Sequence, residues 1–203
     1  ASLTVIDQST GEVKAIVGGR GDKTASKTLN RATDTTRQPG STFKILASYS
    51  AALDAGGLTL ASVQDDAPYT YAGANGKSVS NYDKRYRGFT TLREAITDSI
   101  NIVTVKTLAQ VGVSLGWQYV QEYGFTTVDS RDMNEALALG GITQGVSNLE
   151  LTAAYAAIAN QGTYTQPVYY TQVKDKDGNV ILDNTQPLTH TVLKKSTSWL
   201  LTN

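Results

Sequence analysis

Apolar, largely β-branched residues crowd Leu3-Thr4-Val5-Ile6 and Val13-Lys14-Ala15-Ile16-Val17, and the polar Asp7-Gln8-Ser9-Thr10-Gly11 lies between them. That pattern predicts an antiparallel hairpin with one face buried, ended by Gly18-Gly19-Arg20-Gly21. Residues 22–40 are polar and loop-like until Pro39-Gly40, after which Phe43, Ile45, Leu46, Tyr49, Ala52 and Leu53 recur with a helical period. Gly56-Gly57 stops that helix. Residues 62–88 hold Tyr69, Tyr71, Tyr82 and Tyr86 among Gly, Asn and Asp without sustained periodicity, which predicts a long loop pinned by its tyrosines.

Thr91-Leu92-Arg93-Glu94 fits a capping box opening a short helix, and a second helix is expected over about 101–110, so Ser99-Ile100-Asn101 falls at a helix junction. A further helix over 115–123 closes at Gly124, whereas residues 129–145 carry no clear period. Ser147-Asn148-Leu149-Glu150 is another capping box, leading into an Ala-rich helix that ends near Gly162. Residues 168–173 and 180–182, with Asp177-Gly178 between them, predict a second hairpin.

The chemistry available is narrow. The chain has no Cys and one His, His190, which excludes a disulfide framework, thiolate metal sites and a multi-imidazole zinc site. No cofactor or metal is expected. Lys+Arg and Asp+Glu balance at 18 each, so no excess positive field points to nucleic acid. No apolar run approaches the roughly 20 residues that span a bilayer. At 203 residues and 40% hydrophobic content the chain can bury the core of one domain.

With His triads and thiols set aside, a serine nucleophile is left with lysine as its base. Ser41-Thr42-Phe43-Lys44 offers that pair. A Ser three residues before a Lys also arises about once by chance in a chain this long, as a capping serine and a solvated lysine. Pro39-Gly40 forces a turn just before the helix, placing Ser41 in the first turn, where free N–H groups and the positive dipole end favour an oxyanion. Lys44 lies on the same face, within reach of the hydroxyl. To act as a base it must be neutral, which requires burial or a nearby positive charge. Ser99 and Asn101 form a second candidate element: a hydroxyl to relay a proton to a leaving group, and an amide to grip a peptide bond. Capping at the helix junction is the alternative role for that triplet.

Arg37-Gln38-Pro39-Gly40-Ser41-Thr42-Phe43-Lys44, preceded by Asn30-Arg31-Ala32, resembles the nucleophile segment of the penicillin-binding transpeptidase domain of class A bifunctional peptidoglycan synthases. Ser80-Asn81-Tyr82-Asp83 and Thr91-Leu92-Arg93-Glu94-Ala95 are similar to the approach to that family's second motif, with Ser99-Ile100-Asn101 standing at the motif. Leu139-Gly140-Gly141, Gly145-Val146-Ser147 and the stretch from Ala153 to Asn160 extend the resemblance, which covers roughly residues 3 to 175.

The resemblance implies an α/β (α+β) fold of the penicillin-binding transpeptidase and serine β-lactamase type, an antiparallel sheet flanked by helices. It implies a single domain over 1–203 and a D,D-transpeptidase acting on peptidoglycan stem peptides that end in D-Ala-D-Ala. Ser41 would attack the penultimate D-Ala carbonyl, Lys44 would take its proton, Ser99 would pass a proton to the leaving amine, and Asn101 would hold the substrate backbone. On this reading Ser41 Oγ, Lys44 Nζ and Ser99 Oγ converge within hydrogen-bond reach. An amine on a second stem would resolve the acyl-enzyme, and β-lactams would stall it. The expected location is the outer face of the cytoplasmic membrane, with the anchor outside this chain.

The family's third motif, Lys-Thr-Gly or Lys-Ser-Gly, is absent; Lys77-Ser78-Val79 and Lys195-Ser196-Thr197 lack its glycine. The expectation is therefore a domain truncated before that motif, with an unpaired sheet edge and a second chain supplying the C-terminal part. Two rival readings remain. A serine β-lactamase or penicillin-sensing receptor domain shares the Ser-Lys chemistry, but a lactamase needs a deacylating base; at Glu135, four residues on, stands Leu139 where that family has Asn. A non-catalytic scaffold is the other. His190 is expected in a surface loop, and Arg31 and Arg37 in loop-anchoring ion pairs.

Overall fold

In a computed structural model, which describes residues 1–72 and 76–203, the chain is α+β. The helices are α1 (Ser50–Asp54), α2 (Leu92–Thr97), α3 (Asn101–Val111), α4 (Val113–Glu122), α5 (Asn148–Ala159) and α6 (Lys195–Thr202). Two compact units are present, residues 1–37 with 146–202 and residues 38–145. Among the described residues the strands form two-stranded pairs only.

In the first unit the expected hairpin forms, Leu3–Ile6 antiparallel to Val13–Val17, with Leu3 opposite Val17 and a register shift between Val5 and Ile6. The buried face is less apolar than the alternation suggested. Thr4 faces α5 and donates to Asn148 Oδ1 at 2.7 Å, while Leu3, Val5 and Val17 are about half exposed. A period of two says that the faces differ, not which one meets the core. The capping box at Ser147 opens α5: Ser147 Oγ accepts from Glu150 N, and Glu150 Oε2 accepts from Ser147 N. The second hairpin is shorter at its start than expected, Gln172–Lys174 against Val180–Asp183.

Three features of this unit were not foreseen. Thr36–Arg37 pairs with Val146–Ser147, so the loop over 22–40 ends in a strand. His190 is not in a loop but in the strand Thr189–Thr191, which pairs with Thr163–Thr165 and sets its ring 5.1 Å from that of Tyr164. Among the described residues neither Arg31 nor Arg37 joins an ion pair; Arg37 Nη1 donates to Thr36 O at 3.0 Å.

The second unit holds the helix begun at Pro39-Gly40. It opens with a 3₁₀ turn over Gly40–Thr42, widens to a π turn over Ile45–Tyr49 and tightens into α1. Phe43, Leu46, Ala47, Tyr49, Ala51 and Ala52 are fully buried, so the helical period does mark the core face. Each buried polar group on this helix has a partner. Ser48 Oγ donates to Thr104 O at 3.1 Å, Tyr49 Oη lies 2.8 Å from Thr104 Oγ1, and Ser50 Oγ lies 2.8 Å from Tyr123 Oη. Two of these bonds go to α3, one turn beyond Asn101, and hold the two helices in fixed register.

The stretch over 62–88 is more structured than a loop. Val63–Asp66 pairs with Gly88–Thr91, and Tyr69–Thr70 with Ser78–Val79; the part of that reading on Gly73-Ala74-Asn75 lies outside the described residues. Two of its tyrosines do not pin it, since Tyr82 is 98% and Tyr86 55% exposed, whereas Tyr69 does, its Oη donating to Glu135 Oε1 at 3.0 Å. Asp66 and Asn81, both buried, are further pins: Asn81 Nδ2 donates to Asp66 Oδ1 at 2.8 Å and to Arg85 O at 2.8 Å. Thr91 caps α2 by accepting from Glu94 N, half of the expected box. Residues 129–145 resolve into two 3₁₀ turns, Ser130–Asp132 and Glu135–Leu139.

Candidate active site

Ser41 stands second in the 3₁₀ turn, where its N–H has no acceptor within the helix. The side chain is exposed, and Ser41 Oγ makes no hydrogen bond among the described residues. The turn around it is tightly held. Gly40 takes φ +59°, Thr42 Oγ1 donates to Pro39 O at 2.7 Å, and Phe43 is buried against Phe125 with ring centroids 5.1 Å apart. Gln38 grips Ile142 on both sides, accepting from its N–H at 3.0 Å and donating to its carbonyl. Gly140, at φ +72°, passes so close that a Cβ there would stand 2.5 Å from Gly40 O. The resemblance of Leu139-Gly140-Gly141 to the family pattern thus has a steric basis: only glycine lets one backbone lie against the other.

Lys44 follows one turn later, and the structure buries it to 3% exposure. Its Nζ donates to Ser99 O at 2.5 Å, to Ser99 Oγ at 2.9 Å and to Asn101 Oδ1 at 2.6 Å. Burial lowers its pKa from the ordinary 10.5 to about 8, because water no longer solvates the ammonium. The three partners suit either protonation state. As an ammonium, Lys44 donates to all of them. As an amine it keeps two N–H bonds, to the carbonyl and the amide oxygen, and its lone pair can accept from the Ser99 hydroxyl.

Ser99 reaches this position through an unusual backbone. It lies between α2 and α3 with φ +54°, left-handed for a residue with a Cβ. The turn is enforced by Ser99 N donating to Ile96 O and Ile100 N to Ala95 O, with Ile100 buried behind it. Asn101 begins α3, and its Nδ2 donates to Ser80 O at 2.8 Å, which fixes Oδ1 towards Lys44.

Of the four residues singled out from sequence, Lys44, Ser99 and Asn101 meet in one hydrogen-bonded group, and Ser41 stands one turn from Lys44 without a bond to it. Asn81 has a role that its motif did not reveal. It caps α3, its Oδ1 accepting from Asn101 N at 3.1 Å and Ile102 N at 3.2 Å. The sequence signal was an Asn in a turn-rich segment, which does not say which helix it caps. Glu135 is buried, and its two oxygens accept from Tyr69 Oη and Ala72 N, each at 3.0 Å, so this carboxylate anchors the neighbouring segment.

A family model, the penicillin binding protein transpeptidase domain, matches residues 1–203. The chain is 41% identical over 201 residues to penicillin-binding protein 1F of Bacillus subtilis, covering 99% of this chain and 27% of that protein. Among solved structures, penicillin-binding protein 1A from Haemophilus influenzae superposes with TM-score 0.78 at 29% identity, over 94% of this chain and 28% of that one. PonA1 of Mycobacterium tuberculosis in complex with penicillin V superposes with TM-score 0.81 at 21% identity, over 98% of this chain and 53% of that one. The chain spans about a quarter of the length of the curated relatives it matches.

Proposed function

The chain belongs to the penicillin-binding protein transpeptidase family, with penicillin-binding proteins 1F and 1A as relatives, and on that premise we propose that it carries the acylation machinery of a serine D,D-transpeptidase. The observation that supports this best is Lys44: a buried lysine with its pKa near 8, hydrogen-bonded at once to a serine hydroxyl and to an asparagine amide. A solvated lysine after a capping serine would show neither the burial nor the partners.

In this reading Ser41 is the nucleophile. Its Oγ is unbonded among the described residues of the free protein, and on this reading the bond to Lys44 closes when substrate is bound. The neutral Lys44 amine takes the proton, and Ser41 attacks the penultimate D-Ala carbonyl of a stem ending in D-Ala-D-Ala. Negative charge develops on the carbonyl oxygen, which the N–H groups of the 3₁₀ turn stabilise. Ser99, bonded to Lys44, passes the proton to the departing D-Ala amine. Asn101, its Oδ1 engaged by Lys44 and one Nδ2 hydrogen by Ser80 O, holds the substrate backbone through its second Nδ2 hydrogen. β-Lactams acylate Ser41 by the same steps, and PonA1, which shares the fold, has been solved in complex with penicillin V.

No Lys-Thr-Gly or Lys-Ser-Gly occurs in the 203 residues. The cation for the substrate carboxylate and the second oxyanion donor are therefore assigned to polypeptide beyond these residues. The 203 residues are read as part of one transpeptidase domain, acting at the outer face of the cytoplasmic membrane. No described helix is long and apolar enough to cross a membrane.

The test is labelling of the intact protein with a fluorescent penicillin, followed by peptide mass mapping. A penicilloyl adduct on Ser41 that persists for many minutes supports the reading. An adduct on another residue or none at all removes it, and rapid release of hydrolysed penicillin assigns a β-lactamase.

A further inference from the structure

Asp66 ends the strand Val63–Asp66 and is fully buried, yet it has no part in the acylation just described. Its carboxylate accepts from Asn81 Nδ2 at 2.8 and 3.0 Å and from Arg87 N at 2.9 Å, while the Arg87 guanidinium stands at 3.7 Å and also meets Asp83. Burying a carboxylate that shares its cation is costly, and an apolar side chain of similar volume would fill the same space without that cost. The charge therefore calls for a use.

That use lies in what the carboxylate dictates to Asn81. An amide has two ends, alike in shape and opposite in polarity, and only its hydrogen-bond partners decide which way it faces. The Asn81 side chain is fully engaged: one Nδ2 hydrogen goes to Asp66, the other to Arg85 O at 2.8 Å, and Oδ1 accepts from Asn101 N at 3.1 Å and Ile102 N at 3.2 Å. Asp66 offers acceptors alone, so it draws the NH2 end and turns Oδ1 to the start of α3. In the reverse orientation Oδ1 would face a carboxylate and Nδ2 would face two N–H donors. From there the constraint reaches the lysine. Asn101 opens α3, its Nδ2 donates to the carbonyl of Ser80 beside Asn81, and its Oδ1 accepts from Lys44 Nζ at 2.6 Å.

We propose that Asp66 is a positioning residue for acylation: by fixing the orientation of the Asn81 amide it holds the start of α3, and with it Asn101, in register with Lys44. The inference rests on the transpeptidase reading and adds to it a side chain that touches neither substrate nor reacting atom. A carboxylate is required here although an amide of the same size would fit, because an Asn at position 66 would carry a donor as well as an acceptor. With its oxygen towards Arg87 N, its NH2 would meet the Asn81 NH2 and favour a turned Asn81, whose own NH2 then faces the donors of α3. Turned the other way, it would set its NH2 against Arg87 N. Neither arrangement satisfies every buried group.

The experiment exchanges the two side chains in the intact protein and follows acylation by penicillin in stopped flow, which separates the acylation rate constant from the affinity. Rates are read well below each unfolding midpoint, so loss of stability alone does not enter them. Asp66→Asn is expected to lower the rate constant about tenfold and leave the affinity within about twofold, inside the roughly hundredfold that a displacement of about 1 Å can cost. Asn81→Asp, which sets two carboxylates against each other, should lower it at least as far. Combining Asp66→Asn with Asn81→Asp restores donor to acceptor: the amide at position 66 donates to the carboxylate at position 81 and accepts from Arg87 N, the carboxylate caps α3, and only the bond to Arg85 O is lost. The rate constant of the double variant should return to within about threefold of the unsubstituted protein, whereas two unrelated defects would add. An unchanged rate constant in Asp66→Asn overturns the proposal, as does a double variant no faster than Asn81→Asp; if Asp66→Asn does not fold, that second comparison decides alone. Failure of penicillin to acylate Ser41 in the unsubstituted protein would instead refute the transpeptidase reading on which the proposal stands.

Discussion

Asn81 Oδ1 accepts from Asn101 N at 3.1 Å, so a residue of the segment before the second motif sets the start of the helix that presents Asn101 to Lys44. The same side chain donates to the buried Asp66, and it is 3% exposed. Asn81→Ala removes the cap and takes the amide donor from the buried Asp66 carboxylate, which keeps Arg87 N at 2.9 Å and the Arg87 guanidinium at 3.7 Å. The expected loss is about 2–4 kcal/mol of stability. Because the start of α3 is freed, penicillin acylation should slow as well. Thermal unfolding and labelling rate together check this, and a variant that keeps both values would show that Asn81 only fills space.

Lys44 titrates near 8 because burial disfavours its ammonium form. Only the amine can accept the Ser41 proton, so acylation should rise about tenfold per pH unit below 8 and level off above it. Lys44→Ala should slow acylation by about 10² to 10⁴ and Ser41→Ala abolish it. The same shift affects folding. The folded pKa lies below the unfolded value of 10.5, so the folded protein holds fewer protons than the unfolded one between about 8 and 10.5. The penalty for burying the charge is full below pH 8 and fades as pH rises to 10.5. Relative to Lys44→Met, the protein should therefore gain stability across that window; a pH-independent difference would rule out the shifted pKa.

Gly140 offers a test of the nucleophile turn that leaves every reacting group in place. A Cβ at this position would stand 2.5 Å from Gly40 O and adopt φ +72°. Gly140→Ala should cost about 1–3 kcal/mol of stability. Displacement of the turn should also lower the acylation rate constant more than the affinity for penicillin. Stopped-flow acylation at varied penicillin concentration separates the two.

Ser99 carries strain that a second pair of variants isolates. Both Ser99→Ala and Ser99→Gly delete the hydroxyl that meets Lys44, but only glycine adopts φ +54° without penalty. The glycine variant should be the more stable of the two by about 1 kcal/mol. Both should lose acyl transfer to a similar degree. Equal unfolding midpoints would mean that the left-handed turn is not strained in solution.

The local parts of this protein were legible in its sequence because they depend on neighbours a few residues apart. Pro39-Gly40 ahead of an apolar period, the Ser147 to Glu150 box and the two hairpins are patterns of turn chemistry and helix capping, and each forms where its residues stand. The spacing of Ser41 and Lys44 is likewise a property of one helix. What lay beyond reach were pairings across long stretches of chain. Val63–Asp66 against Gly88–Thr91 is too short to show a period, and the hairpin's alternation could not say that Leu3 and Val5 would remain exposed while Thr4 faces α5. The lowered pKa of Lys44 belongs to the same class. Sequence could state that such a shift was needed; burial among Ser99 and Asn101, brought from 55 and 57 residues away, is what supplies it. Desolvation and capping partners are created only when distant segments pack, so the tertiary structure alone decided which asparagine holds α3 and which oxygens surround the lysine.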